Sequence, residues 1–414
     1  ADSDRMLNTR SGVSSITFYG GAAAGSSLPA GTSDGEDLLL NTGSGIASIV
    51  FSGDAGNDIL RNSGSLVTAI SMTGGAGNDG FANTGSNIDS LEFYAGAGSD
   101  LFLNSGDTVR IITVSGDGEE TAGDDVVLLR GSGTNATNST VQFSGHGGND
   151  VLHNYSTGFK AITFTGGAGM DLFLNTSASA VGLSFVSGDG DDVFQNQGNS
   201  VAGVTFDAGA GNDLLVNTAT GFTGAVFTAG DGDDLLLNTG ASLSGLSFAG
   251  DAGADQFINN ADAVSMVTFT GGDGADIVTN TGTSFTSFTF HGGAGNDRLT
   301  NRAGSAGTAT LVFNGGNDND ILINEADGAS GLTFNGDAGN DGLLNTGLSV
   351  SGFTMNGAAG DDLLENRGAL MSALIFNGGD GADALRNTAA SLSNVTFNGH
   401  AGADLFISEA GGLT

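Results

Sequence analysis

Phe164-Thr165-Gly166-Gly167-Ala168-Gly169-Met170-Asp171-Leu172-Phe173-Leu174-Asn175 is the unit that this chain repeats. Its Asp returns as Asp4, Asp37, Asp58, Asp79, Asp100, Asp125, Asp150, Asp171, Asp192, Asp213, Asp234, Asp255, Asp276, Asp297, Asp320, Asp341, Asp362, Asp383 and Asp404, in most cases 21 residues apart. A period of that size signals stacked supersecondary units, each of which buries its neighbour, instead of one compact core.

Within each unit the residues alternate. Counting the repeat Asp as zero, position +2 is apolar (Leu39, Leu60, Phe81, Phe102, Val127, Leu152, Phe173, onward to Phe406). Position +4 is Asn: Asn41, Asn62, Asn83, Asn104, Asn154, Asn175, Asn196, Asn217, Asn238, Asn259, Asn280, Asn301, Asn324, Asn345, Asn366 and Asn387, with Leu129 and Ser408 as exceptions. Variable residues such as Arg61, His153, Gln195 and Glu365 stand between them. Period-two alternation marks a strand with Asp, the apolar residue and Asn on one inward face. Buried amides one coil apart can bond each other, so the Asn series is expected to form a structural ladder.

Further apolar columns lie at +9 (Ile46, Val67, Ile88, Val109, Phe159, Val201, Phe222, Leu243, Val264, Phe285, Val350), at +12, and at +14, where Phe dominates from Phe18 to Phe397. The columns predict an all-β, right-handed parallel β-helix, a β-solenoid, of about 19 coils with ~21 residues and three short strands per coil. The whole chain, 1–414, reads as a single solenoid domain, since no linker or change of composition divides it. Insertions interrupt the period near 22–33, 118–122, 130–140 and 302–310, all in turns. The first two enlarge the Gly-rich corner, which makes Asp37 and Asp125 the least secure members of their series.

Composition narrows the function. With 46 acidic against 10 basic residues the net charge is −36, which repels nucleic acid and anionic membranes and favours cations. Zero Cys removes disulfides, thiolate zinc sites and cysteine nucleophiles. With 74 Gly but a single Pro, the chain is not collagen-like. No apolar run reaches the ~18 residues of a membrane span.

The corner before each Asp reads G-(G/D)-x-G-(N/D)-D, as in Gly74-Gly75-Ala76-Gly77-Asn78-Asp79 and Gly292-Gly293-Ala294-Gly295-Asn296-Asp297. It resembles the calcium-binding nonapeptide of the repeats-in-toxin (RTX) family, G-G-x-G-x-D followed by x, an apolar residue and x. The resemblance implies Ca2+ between successive Gly-rich turns, held by Asp carboxylates and backbone carbonyls. Carried over to this chain, the metal ligands are Asp37, Asp58, Asp79, Asp100, Asp125, Asp150, Asp171, Asp192, Asp213, Asp234, Asp255, Asp276, Asp297, Asp320, Asp341, Asp362, Asp383 and Asp404, up to one ion per gap between coils. The family's roll has two such turns per coil; here there is one, so one calcium column on a wider helix is expected. Corners without the leading Gly pair (Ala95, Ser187, Ala208), and Asp318 in place of the Gly before Asp320, are expected to bind more weakly.

Residue chemistry agrees with the resemblance. Glycines permit the tight turn and expose carbonyls, and oxygen donors suit a hard cation that takes roughly six to eight of them. Unit charges ~4.8 Å apart repel by about 0.9 kcal/mol in water and roughly 3.5 kcal/mol at an effective dielectric of 20. An uncompensated file of carboxylates therefore opposes stacking.

His146, His153, His291 and His400 fall in different coils and complete no nucleophile-base set, so no catalytic residue is assigned and the chain is not expected to be an enzyme. Outward Thr and Asn pairs flank the Phe column (Thr163/Thr165, Thr268/Thr270, Thr333/Asn335, Thr354/Asn356, Thr396/Asn398), a pattern similar to ice-binding β-helices and equally suited to any exposed strand. The expectation is an extracellular, calcium-stabilised structural protein of a cell-surface fibre, sheath, surface layer or adhesin stalk. Its expected partners are further copies stacked head to tail, or a longer parent chain, and a surface glycan or matrix. A ligand- or ice-binding adhesin surface is the alternative, and a polysaccharide-active β-helix enzyme the lesser one.

Overall fold

The computed structural model describes residues 3–20, 35–116, 123–133, 139–302 and 310–409. Across them the chain is an all-β parallel solenoid without helix. Each coil contributes one strand to each of two parallel sheets, of 19 and 18 strands. The first sheet collects the four-residue strands that follow each repeat Asp, such as Leu172–Asn175 and Val193–Asn196. The second collects longer strands that carry the Phe column and run into the Gly-rich corner, such as Ala161–Ala168. Register sets like on like one coil apart, with Phe173 beside Phe194, Asn175 beside Asn196 and Phe164 beside Phe185. The insertions at 22–33 and 118–122, residues 134–138 of that at 130–140 and residues 303–309 of that at 302–310 lie outside the described residues.

Two compact units are distinguished, Ala1–Gly209 and Ala210–Thr414, each a stack of the same coils. Their cores are built alike. In the first, Phe143, Phe164, Phe185 and Phe206 stack face to face at centroid distances of 4.7, 4.7 and 5.0 Å. Phe173, from the opposite sheet, meets Phe164 and Phe185 edge-on at 6.3 and 6.1 Å. In the second, Phe290, Phe313 and Phe334 repeat the stack at 4.6 and 4.9 Å. Each buried ring contributes roughly 1.5–3 kcal/mol from lost apolar exposure, with an additional aromatic pairing gain.

The three strands per coil expected from the columns reduce to two. The +9 side chains are buried as expected (Val67, Leu243 and Val350 are 1% exposed or less), but most lie between strands. From the coil of Asp171 onward the backbone bends on either side of them. Position +8 is left-handed at Ser242, Ala263 and Ser349 (φ 62, 60 and 55°), and +11 in the same coils at Gly245, Met266 and Gly352 (φ 65, 52 and 67°). Two left-handed residues three positions apart bend the chain twice, leaving isolated bridges such as Thr223 with Ser244. The exceptions are Ile88 and Val109, which open longer strands.

The inward amides close the corner that follows each short strand. Asn259 Nδ2 donates to Asn280 Oδ1 at 2.7 Å and to the Ala261 carbonyl at 2.9 Å, while Asn259 Oδ1 accepts from Asn238 Nδ2 at 2.8 Å and from the Ala261 N–H at 3.3 Å. A single amide thus holds its own turn and both neighbouring coils. Leu129 interrupts the series, which resumes where Asn154 donates to Asn175 at 2.8 Å.

Phe164→Ala is expected to lower unfolding stability by about 3–5 kcal/mol, and Asn259→Ala, which leaves buried partners on both sides unbonded, by about 2–4 kcal/mol. Denaturant titration followed by circular dichroism measures both.

Candidate functional site: the aspartate column

Every repeat Asp from Asp37 to Asp383 is buried, at 0–3% exposure. The short strand aims its side chain inward with the +2 and +4 residues, beside the Gly-rich corner. In each coil one carboxylate oxygen has a fixed task. Asp58 Oδ1 accepts the backbone N–H of Asp37 at 2.7 Å, Asp171 Oδ1 that of Asp150 at 2.8 Å, and Asp276 Oδ1 that of Asp255 at 2.8 Å. The pattern crosses the insertions. Asp4 N–H reaches Asp37 at 2.7 Å, Asp100 reaches Asp125 at 2.9 Å, and Asp125 reaches Asp150 at 2.8 Å, so the two members least secure in sequence stand in the column like the rest. Asp404 accepts from Asp383 at 3.2 Å and is half-buried at the end of the stack.

The second oxygen has a different environment. In Asp79, Asp171 and each repeat Asp from Asp234 to Asp383, Oδ2 is buried and makes no hydrogen bond. In all of these but Asp234, which has Ala229 there, it lies against the Cα of the glycine five positions earlier. A Cβ at Gly74 would collide with Asp79 Oδ2 and with the Ala95 carbonyl of the next coil; one at Gly271 would collide with Asp276 Oδ2 and would lie 2.8 Å from the Gly292 carbonyl. A carboxylate oxygen and a carbonyl oxygen thus border one small cradle in several coils, those of Gly74, Gly166, Gly250, Gly271, Gly292 and Gly357 among them. Position −5 is therefore Gly in most coils and Ala or Ser in the others, Ala95, Ser187, Ala208 and Ala229 all being buried. Ser187 shows the polarity of the cradle: its hydroxyl donates to the Ala208 carbonyl at 2.8 Å and also lies within hydrogen-bonding reach of Asp192.

Burial has an electrostatic consequence. It pushes Asp79, Asp171, Asp234, Asp255, Asp276 and Asp362 up to about 7, Asp297 and Asp341 to about 6, and Asp320 to about 8. The accepted backbone N–H opposes the rise, and neighbouring carboxylates add to it in most of these coils. Asp192 and Asp383 are raised for the same first reason. A stack of such groups is stable when something neutralises it, either a proton on each carboxyl or a cation between coils.

No protein-family model, curated protein or solved structure matches this chain. The donor set must therefore be judged on its own chemistry. It consists of oxygen only: an unbonded carboxylate oxygen per coil in the positions named above, with corner carbonyls beside it. That composition fits a hard divalent cation such as Ca2+. Among the described residues no three His, Asp or Glu side chains converge into a cluster, so backbone carbonyls would supply the remaining ligands.

A second ladder, on the outside of the same corner, was not legible from residue type. Where the residue before the repeat Asp is itself Asn or Asp, its side chain accepts the N–H of its counterpart one coil on in several coils. Asn57 Oδ1 takes Asn78 N–H at 2.7 Å, Asn149 takes Met170 at 2.8 Å, Asp233 takes Ala254 at 2.8 Å, and Asp361 takes Ala382 at 2.7 Å. Inner and outer ladders point in opposite directions along the stack. The signal available in sequence was the recurrence of Asn or Asp at that position. Outward Asn residues beyond the Phe column also bond one another, Asn335 to Asn314, Asn356 to Asn335 and Asn398 to Asn377 at 2.7 Å and Asn377 to Asn356 at 2.8 Å.

The folded-state values lie above the ordinary carboxylate value of 3.8, so between about pH 4 and pH 7 the folded chain holds protons that the unfolded chain releases. Stability of the metal-free protein is therefore expected to fall as pH rises through that window. Asp276→Asn keeps the Oδ1 acceptor and removes the charge. It should raise the metal-free Tm at about pH 8 and change it little at about pH 5, as thermal unfolding by circular dichroism would register.

Proposed function

We propose that this chain is an extracellular structural solenoid whose aspartate column is neutralised by Ca2+, serving as a stalk, sheath or surface-layer element. The observation that carries the reading is the set of buried carboxylate oxygens without hydrogen bonds in residues such as Asp255, Asp276 and Asp297, each beside a carbonyl in a glycine cradle. Oδ2 of residues such as Asp255 and Asp276, with corner carbonyls such as those of Gly271 and Gly292, are the donors that would hold the ion. Bound there, the cation supplies positive charge between like charges. The protein's own part is to keep those oxygens aligned, through the Oδ1 bonds on one side and the Asn ladder on the other.

Extracellular placement follows from the same chemistry. Millimolar calcium outside cells fills weak sites that cytosolic levels leave empty, and each ion that binds only the stacked form contributes to folding. A structural role suits a chain whose repeated groups are spent on bonding their own copies. The outward Asn row from Asn314 to Asn398 follows the same habit, which favours a structural use over an ice-ordering one.

Calcium is expected to raise Tm strongly at about pH 8 and weakly at about pH 5, where protons already neutralise the column. Replacing Asp255, Asp276 and Asp297 together by Asn should lower the calcium stoichiometry measured by isothermal titration calorimetry. Absence of heat at millimolar calcium, or full β-sheet circular dichroism and unchanged Tm in chelator at pH 8, would overturn the reading.

A further inference from the structure

Most outward positions of the short strands, +1 and +3, are Leu, Ile or Val in the first unit, at both places in Leu38 and Leu40, Leu101 and Leu103, Leu172 and Leu174. These side chains point away from the core and are half-buried or exposed, Leu101 at 44%. The sheet that carries the Phe column behaves differently. Its outward positions in the same unit are mostly hydroxyl-bearing, as at Ser71, Thr73, Thr163 and Thr165. Strand propensity alone would load both faces alike, so the aliphatic face calls for its own cause.

Charge points the same way. Of the outward residues on the short strands of this unit none is Asp or Glu, in a chain of net charge −36; the formal charges there are Arg5 and Arg61. Carboxylates are thus kept off one face of an otherwise acidic surface.

We propose that this face docks the same face of a second copy of the chain. Nine short strands at ~4.8 Å spacing, each four residues wide at ~3.3 Å per residue, give a patch on the order of 500 Å² per copy. Two such patches bury about 1,000 Å², the lower bound for a specific protein interface. Identical coil rise on both sides lets aliphatic rows of one sheet settle between rows of the other, at the ~10 Å separation of packed sheets. An acidic partner of any kind must approach where carboxylates are absent, and another copy meets that condition by construction. An anionic lipid surface is repelled by the net charge, and the face lacks the Trp, Tyr and Lys that anchor proteins at membrane interfaces.

The relief of the face supports a two-fold contact. Gly80 and Ala82 leave a notch of about 480 Å³ between the side chains of Ile59 and Leu101. A two-fold axis through the strand of Leu101 and Leu103 sets this notch opposite Val126 and Leu128 of the second copy, one coil on the other side of the axis. It also sets Arg61 opposite His153, and Arg5 opposite the strand of Val193 and Gln195, so no Arg faces an Arg.

Sedimentation velocity of the full chain, run with calcium and again in chelator at about pH 5 so that loss of the column's neutralisation is not mistaken for loss of the face, tests the proposal. The wild type should dimerise in the micromolar range. Leu103→Lys with Leu128→Lys should weaken self-association at least about tenfold while leaving the β-sheet circular dichroism unchanged. Because the chain has no Cys, Leu103→Cys should cross-link into a covalent dimer under mild oxidation, and Thr163→Cys on the opposite sheet should not. A wild type that stays monomeric, dimers indifferent to both Lys substitutions, cross-linking equal at the two Cys positions, or Leu103-dependent flotation with phosphatidylcholine vesicles would each overturn it.

Discussion

Stacking coils in register places every side chain one strand spacing from a copy of itself, and the fold persists only where each repeated group can tolerate or bond its own duplicate. Phe does so by face-to-face stacking, and Asn by offering a donor to one neighbour and an acceptor to the other. Both are self-complementary along a single axis. Asp is only half so: in residues such as Asp276, Oδ1 finds a backbone N–H in the preceding coil, while Oδ2 is buried without a hydrogen bond. That asymmetry sets the column apart from the Phe and Asn series.

The glycine five residues earlier belongs to the same constraint. A side chain there would enter the space between carboxylate and carbonyl, and Ser187 indicates what suits it, a small polar group bonded to the carbonyl of the next coil. A proton on each carboxyl meets the electrostatic demand at acid pH; under the proposed function a divalent cation would meet it where calcium is abundant.

Outward surfaces divide by sheet, and the division is not imposed by the repeat. Short strands carry Leu, Ile or Val at most outward positions as well as inward, whereas the long strands alternate between Phe inside and hydroxyl or amide outside in most coils. The corners are where the chain places its charge, with Asp and Asn on the outer side of each Gly-rich turn forming their own ladder.

Much of this was legible in the residues. The 21-residue period, the inward set of Asp, +2 and +4, and the Phe column fixed a parallel solenoid, because a two-residue alternation inside a constant repeat has few other packings. Three things were decided only by the tertiary structure. From the coil of Asp171 onward the third strand is lost where left-handed residues at +8 and +11 bend the chain around a buried side chain, and most of the +8 positions carry Ser, Leu or Asn instead of a signalling Gly. The membership of Asp37 and Asp125 depended on where chain of unequal length rejoins the stack, which hydrogen bonds reveal and spacing does not. Sequence told which face each Asp occupies; only the packed coils told that its two oxygens differ, since that difference arises from a neighbour 21 residues away coming within 2.8 Å of one oxygen and leaving the other against a glycine.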